Sequence, residues 1–307
     1  MQPYLGLGNS LHTTQSGGGA VVLATRGVIG GGHGGPVNNM DYITIATTGN
    51  ATDFGDLIQA RYGISGMNSD TRGIFAGGYS GSYHNIMEYI TILTTGNTTD
   101  FGNLSVATYS TGAVSNLTRG VLTNGGTGRS TRLEYVTIAT TGNATFYGNL
   151  TTSTTSCSGN VNSETRGLIS GGNSTASTFS NVIDYITIDT TGNATDFGNL
   201  TVGGYSPAGT SSETRGIMHS RIASGSVTSN VIDYVTIATA GNATDFGDLT
   251  AATSSTTGGL TNDTRAVISG LGSTSNTIEY VTIATTGNAT DFGDLTVGRH
   301  AAGGVSG

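Results

Sequence analysis

The sequence predicts an all-β protein: a six-bladed β-propeller with four antiparallel strands in each blade. Three observations favour this fold. Near-copies of one unit recur along the 307 residues at intervals of 46 to 50 residues. These units are rich in Gly and β-branched residues, and they carry no apolar pattern at helical spacing. The first strand of each unit has almost only small residues, which suit the narrow centre of a propeller.

An arginine that follows threonine marks every unit: Arg26, Arg72, Arg119, Arg166, Arg215 and Arg265. A period of this length is typical of four-stranded blades or of paired-helix solenoids. The helical alternative is disfavoured because Gly and β-branched residues dominate each unit. We therefore place one repeat domain over residues 25–307, with repeats at about 25–70, 71–117, 118–164, 165–213, 214–263 and 264–307.

Each unit divides into four strands, A to D. Strand A is a run of small residues such as Gly63–Ser69, and strand B starts near the repeat arginine, as in Thr71–Gly78. Strand C alternates in side-chain character, as in Asp233–Thr239, and a Thr-Gly-Asn turn follows it. Gly and Asn tolerate the positive φ of a tight hairpin, so the recurring Asp-Phe-Gly segment that comes next is strand D.

The chain ends supply surplus strand material. Residues 1–24 contain a degenerate strand D at Leu5–Leu11 and a strand A at Gly17–Ala24, and the C-terminus offers another strand D and a partial strand A. We expect one surplus strand to close the ring by overlap. The alternative is pairing with a neighbouring chain, because an unpaired strand edge is a template for association.

Composition narrows the function classes. The regular recurrence of Val, Ile, Thr, Tyr and Phe favours ordered β structure over disorder. The net charge of −8, with 11 basic residues, disfavours nucleic acid and anionic membrane surfaces as partners. No stretch approaches the ~18 apolar residues of a membrane span. Met1–Ser10 lacks the features of a secretory signal, and Cys157 has no second cysteine to pair with.

The segment Gly77–Leu104 contains a double glycine, an acidic-aromatic pair, a hairpin and a large aromatic residue before Leu. This order resembles the kelch repeat, with Phe where kelch units usually have Trp: Phe54, Phe101, Phe197, Phe246 and Phe292. The segment YVTIATTGNATDFGDLT more specifically resembles a kelch-like repeat of virion and tail-fibre proteins from marine bacteriophages, including phages that infect cyanobacteria. The resemblance covers most of residues 25–307 and implies a structural or host-contacting virion part, extracellular after assembly.

An acidic residue precedes the tyrosine of every strand C: Asp41, Glu88, Glu134, Asp184, Asp233 and Glu279. Six identical active sites in one chain are not expected. We interpret these acids and the repeat arginines as a blade-stabilising set of ion pairs or hydrogen bonds, repeated by duplication.

Other motifs are also interpreted as structural. The Asp-Phe-Gly tripeptide matches a kinase motif, but the chain has no lysine to pair with phosphate. Its paired carboxylates are a poor calcium site without further ligands, and the five histidines lack metal spacing. We therefore expect neither a metal nor a cofactor. The Asn-X-Ser/Thr sequences of the C–D hairpins are explained by turn chemistry: Asn50, Asn97, Asn143, Asn193, Asn242 and Asn288.

The B–C and D–A connections vary in length and chemistry, and antiparallel pairing places them on one face. The candidate ligand-binding residues on that face are Arg61, Tyr62, Tyr79, Tyr83, His84, Arg129, Arg132, Phe179, His219 and Arg221. Tyr, Asn and Ser are typical of adaptable binding loops. Exposed aromatic rings with nearby hydroxyls and amides suit sugars. Loop drift without selection is the alternative.

We therefore expect a non-enzymatic structural or adhesive virion component whose variable loops contact a host surface polysaccharide or another virion protein. The alternative is a filament-forming or capsid-decorating subunit that binds copies of itself through surplus terminal strands. A glycan-cleaving enzyme would need carboxylates about 5–9 Å apart in a cleft. The variable loops hold almost no carboxylates, so this activity is disfavoured.

Overall fold

The computed structural model describes residues 24–124, 128–157, 161–174, 179–205, 208–219, 221–223, 227–253, 259–272 and 275–307. In these ranges all regular structure is β-strand, with no helix. The strands form the six antiparallel blades of a β-propeller, which confirms the predicted fold class. We number the blades 1 to 6 in the chain order of their B strands.

In every blade the spatial order of the strands is A-B-C-D. For blades 1 to 6, the A strands are Gly303–Ser306, Ser65–Asn68, Ala113–Ser115, Val161–Asn162, Ala208–Ser211 and Leu260–Thr261. The B strands are Arg26–Gly30, Arg72–Ala76, Arg119–Thr123, Arg166–Ser170, Arg215–His219 and Arg265–Ser269. The C strands are Asn39–Thr44, His84–Thr91, Ser130–Thr137, Val182–Thr187, Val227–Thr236 and Thr277–Thr282. The D strands are Thr52–Asp56, Thr99–Thr108, Thr145–Thr154, Thr195–Asn199, Thr244–Thr253 and Thr290–Asp294. A further short strand, Ile222–Ala223, pairs with the start of strand C in blade 5.

The A strands surround the centre, and each contacts the next around a closed circle. Small buried polar residues link them through hydrogen bonds. The Asn68 amide donates to the Ser306 carbonyl at 2.6 Å, and the Asn162 amide donates to the Ser115 carbonyl at 2.8 Å. The remaining links of the circle join Asn68 to Ser115, Asn162 to Ser211, Ser211 to Thr261, and Thr261 to Ser306. Short polar side chains are therefore needed here for pairing as well as for space.

The ring closes by overlap of the chain ends. Gly303–Ser306 pairs antiparallel with Arg26–Gly30, so blade 1 takes strand A from the C-terminus and its other strands from near the N-terminus. The Thr25 and Arg26 amides also donate to the Gly307 carbonyl, at 3.0 and 3.1 Å. The candidate N-terminal strands at 5–11 and 17–24 lie outside the described residues, apart from the buried Ala24.

The recurring Gly-Asn hairpin, preceded by Thr in five copies and by Ala240 in the other, joins each blade to the blade before it. The Gly96 amide donates to the Phe54 carbonyl at 2.8 Å, and Asn97 Oδ1 accepts from the Asp56 amide at 3.0 Å. The same two bonds occur at all six junctions, including that between blades 6 and 1. At these residues the outer edge of strand D is therefore covered by the next blade's hairpin. The sequence repeats because each copy builds the same junction.

The repeat arginine completes this junction from inside the blade. In all six blades its guanidinium lies over the strand C tyrosine, 4.2 to 4.6 Å from the ring centroid. It also donates to a backbone carbonyl of the next blade, as Arg72 Nη1 does to the Ile138 carbonyl at 2.9 Å. The six hydrophobic clusters likewise lie between adjacent blades, each around the aromatic residue of strand D.

The two recurring charged sets, which we interpreted together, do not pair with each other. Arg26 lies opposite Thr44 at one end of the blade, whereas Asp41 lies opposite Ile29 near the other end. Antiparallel register separates them, so the arginine and the acid take different partners.

Candidate functional site

Strand register gives the propeller two distinct faces. In blade 1, Arg26 and Thr44 mark the end from which the A–B and C–D connections leave, and Gly30 and Met40 mark the opposite end. We call the first end the hairpin face. The second end carries all B–C and D–A connections, and we call it the variable-loop face.

Three arginines of the variable loops point inward and are fully buried: Arg61, Arg221 and Arg299. Their guanidinium groups bind the repeat acids. Arg221 Nη2 lies 2.8 Å from an oxygen of Asp233, and Arg299 Nη2 lies 3.0 Å from an oxygen of Asp41. Arg61 makes the same pair with Glu88. This corrects the expectation that Arg61 and Arg221 are exposed, because a buried carboxylate attracts the nearest available cation.

The repeat acids also connect neighbouring blades. Each accepts hydrogen bonds from the residue that follows the strand D leucine in the preceding blade. Thr296 donates its hydroxyl to Asp41 at 2.6 Å and its amide to the same carboxylate at 3.1 Å. The same position supplies donors to every other acid: Ile58, Ser105, Thr151, Thr201 and Thr250. The acids are therefore residues of the junctions between blades.

The six acids differ in whether an arginine reaches them. Glu134 is paired with Arg132 at 2.8 Å, but the Arg132 side chain is 38% exposed. Asp184 and Glu279 have no arginine partner among the described residues, and burial raises the pKa of both carboxyls. Among the described residues, the buried acids thus differ in their arginine partner, while an Asp or Glu is present in every blade.

His219 is another candidate that lies inside the protein. It ends strand B of blade 5, opposite Ala208, and its side chain is fully buried. Burial, followed by the nearby charge of Arg221, lowers the pKa of His219 to about 3. The sequence placed it next to a variable loop, but its position on a short inner strand makes it part of the core.

Six aromatic side chains form a continuous group on the variable-loop face. We call this group the aromatic row: His300, His33, Tyr62, Tyr79, Tyr83 and Tyr109. Successive ring centroids are 5.1 Å apart for His300 and His33, and 4.5 Å for His33 and Tyr62. The spacing continues at 5.6 Å from Tyr62 to Tyr79 and 5.3 Å from Tyr79 to Tyr83. Tyr109 lies 5.2 Å from Tyr83 and 5.9 Å from Tyr79.

Backbone pairing holds these rings in place. Tyr62 and Tyr79 exchange amide–carbonyl bonds of 3.1 and 2.9 Å, and the His33 amide donates to the His300 carbonyl at 2.8 Å. Each pair joins the B–C loop of one blade to the D–A connection that leads into strand A of that blade. Tyr83 is 41% exposed, and the other five side chains are half-buried. The row is therefore an ordered, partly exposed surface.

Polar groups border the row. His84 Nε2 and Ser80 Oγ lie 2.7 Å apart, and the Gln59 amide donates to the same hydroxyl at 3.3 Å. Burial, with a smaller effect of Arg61, lowers the pKa of His84. Burial and the neighbouring tyrosines raise the pKa of Tyr109. The groups that border the row are thus a hydroxyl, an amide and an imidazole.

The structure brings together four of the predicted residues, Tyr62, Tyr79, Tyr83 and His84. Tyr109, His33 and His300 join them and were missed as candidates. A repeat-by-repeat alignment carries the signal, because Tyr62, Tyr109 and His300 occupy one position, eight residues after the aromatic residue of strand D. The other predicted residues lie elsewhere. Arg129 is exposed, Arg132 stacks 4.9 Å above the Phe146 ring, and Phe179 lies 5.2 Å from Tyr205.

Among the described residues, no group of three or more His, Cys, Asp or Glu side chains could hold a metal ion. In the same part of the chain, no helix is long and apolar enough to cross a membrane. Neither a scan against protein-family models nor a search of curated proteins finds a match for the chain. The resemblance to kelch-like phage repeats therefore stays a prediction.

Proposed function

We propose that this protein is a non-enzymatic adhesive component of a phage particle that binds host surface polysaccharide through the aromatic row. The observation that carries the binding proposal is the set of six contiguous rings on ordered loops of one face. The assignment to a phage particle depends on the sequence of the repeat, which resembles repeats of virion and tail-fibre proteins.

The chemistry of the row suits sugars. Contiguous exposed apolar surface with a polar border is typical of an interaction site. Aromatic side chains present an apolar face together with a polar hydroxyl or ring nitrogen, so they pack on the C–H face of a sugar ring and hydrogen-bond its hydroxyls. Ser80, Gln59 and His84 add donors and acceptors at the border. Because the loops are paired to each other, little conformational entropy is lost on binding.

The filament alternative has less support. Gly303–Ser306, the surplus strand of the described chain, is already paired within blade 1. The next blade's hairpin covers the outer edge of strand D at every junction. The other surplus strands predicted from the sequence, at residues 5–11 and 17–23, lie outside the described residues.

Binding to purified host-surface polysaccharide tests the proposal. Tyr79→Ala and Tyr83→Ala should each weaken binding about tenfold, since aromatic anchors of this kind contribute 1–2 kcal/mol or more. Phe146→Ala is the matched control, because Phe146 is 46% exposed on an outer strand away from the row. Equal losses in all three variants, or none in any, would contradict the proposed site.

A further inference from the structure

We infer that the aromatic row selects uncharged glycans and discriminates against polysaccharides that carry carboxylate or sulfate groups. This inference depends on the proposed function and adds the chemical class of the ligand. It follows from where the charges lie on the segments that carry the row.

The segments that carry the row contain no Asp, Glu or Lys: residues 31–38, 58–63, 77–85, 106–111 and 296–303. Their only arginines are Arg61 and Arg299. Both are fully buried and already paired, with Glu88 and Asp41. The cations of these loops therefore neutralise the fold's own acids and are not presented to a ligand.

The titratable groups that remain on these segments are tyrosines and three imidazoles, His33, His84 and His300. Burial lowers the pKa of His84, which keeps that side chain neutral near neutral pH. Carboxylate and sulfate groups are recognised by charge-assisted bonds, most often from a bidentate arginine. An anion brought onto the row would lose hydration without gaining such a partner, which is unfavourable.

The rest of the molecule reinforces this preference. The net charge is −8, so an anionic polymer is repelled at long range when the salt concentration is low. That long-range repulsion is screened over ~8 Å at physiological ionic strength, whereas the missing cation on the row is a local effect. A preference that persists in salt therefore reports on the row itself.

The test compares neutral polysaccharides with their own acidic derivatives, for example dextran with carboxymethyl-dextran and dextran sulfate, alongside neutral and acidic fractions of host polysaccharide. Binding is measured at pH 8, where imidazoles are largely uncharged, in 0.15 and 0.5 M salt. We expect the neutral member of a pair to bind at least about fivefold more tightly at both salt concentrations, a difference of about 1 kcal/mol. Tyr79→Ala should weaken binding of that member about tenfold.

A designed charge sharpens the result. Ser82→Arg places a cation beside Tyr83 on an exposed loop position, and Ser82→Gln is the uncharged control. The arginine variant should gain affinity for the acidic derivatives, and the glutamine variant should not. If the wild-type protein prefers the acidic member and loses that preference in Tyr83→Ala, the inference is wrong and the proposed function stands. Binding to no glycan of either class overturns both.

Discussion

The two faces of the propeller differ in both variability and charge. The hairpin face is built from near-identical Gly-Asn hairpins, each bonded to strand D of the preceding blade. Its A–B turns also carry acids: Asp70, Glu164, Glu213 and Asp263. The variable-loop face has loops of differing length and concentrates aromatic rings, and its arginines at 61, 221 and 299 turn inward.

This comparison shows which part of a repeat is constrained by ring closure. A hairpin that bonds the neighbouring blade cannot change in one copy without weakening a junction. The variable loops share two structural tasks: their backbones pair with each other, and some of them supply an arginine to a buried acid. The other positions of these loops are free to vary, and aromatic residues occupy them near blades 1 to 3.

The largest expected effect comes from removing a buried arginine. Arg61→Ala leaves Glu88 buried without its counter-ion and should lower the free energy of unfolding by about 3–5 kcal/mol. Arg132→Ala is the control, because its side chain is 38% exposed and its pair with Glu134 is screened by solvent, with an expected loss under about 1 kcal/mol. Chemical denaturation measures both. Similar losses of unfolding free energy in the two variants would mean that burial does not make the Arg61–Glu88 pair more important for stability than the Arg132–Glu134 pair.

A smaller effect is expected at the hairpin junction. A Cβ added at Gly55 would lie 2.4 Å from the Gly96 carbonyl oxygen, and the φ of Gly55 is +140°. Gly55→Ala should therefore cost about 1–3 kcal/mol, through a clash between blades and backbone strain. Gly49→Ala, where a Cβ meets nothing within 4 Å, is the matched control. Thermal unfolding of the two variants should separate them by several degrees, and equal midpoints would argue against the junction.

The smallest effect concerns pH and the acids of the hairpin face. Burial first, then neighbouring carboxylates, raises the pKa of Glu164 and of Glu213 from 4.5 to about 7. Between these values the folded protein binds more protons than the unfolded chain, so stability falls as the pH rises through this window. The double variant Glu164→Gln, Glu213→Gln should match the wild type at pH 5.

At pH 8 the same double variant should be more stable than the wild type by about 1–2 kcal/mol, a figure reduced for solvent screening of half-exposed groups. Asp53→Asn, which alters an exposed acid on an outer strand, is the control and should change nothing at either pH. Denaturation curves at the two pH values provide the measurement. If the wild type instead became more stable than the double variant as the pH rises, the predicted direction of the pH effect would be wrong.

Local chemistry in the sequence was sufficient for the architecture. The repeat arginine, the small residues of strand A and the Gly-Asn hairpin each reflect a constraint that lies within one unit. The strand that each hairpin contacts was not predictable. Because the repeats are nearly identical, the sequence does not show whether a hairpin bonds strand D of the preceding or of the following blade. Only coordinates show that Asn97 reaches Asp56 of the preceding blade.

The candidate site was harder to predict for the same reason. Arg61 and Glu88 are 27 residues apart, and an arginine in a variable loop looks like a surface residue until the buried acid is placed below it. His219 was assigned to the surface because strand B ends there. Tyr62, Tyr79 and Tyr83 were found from their residue type, and His300 shares a repeat position with Tyr62. The pairing of His33 with His300 becomes visible only when the two chain ends meet in blade 1.

The most direct test of this account is hydrogen exchange of the protein with and without host-surface polysaccharide. Backbone amides of residues 33, 62, 79 and 83 and their loops should exchange more slowly in the complex, while hairpin amides such as Gly96 and Asn97 should be unchanged. Slowed exchange confined to the hairpin face, or no change on any segment, would contradict it.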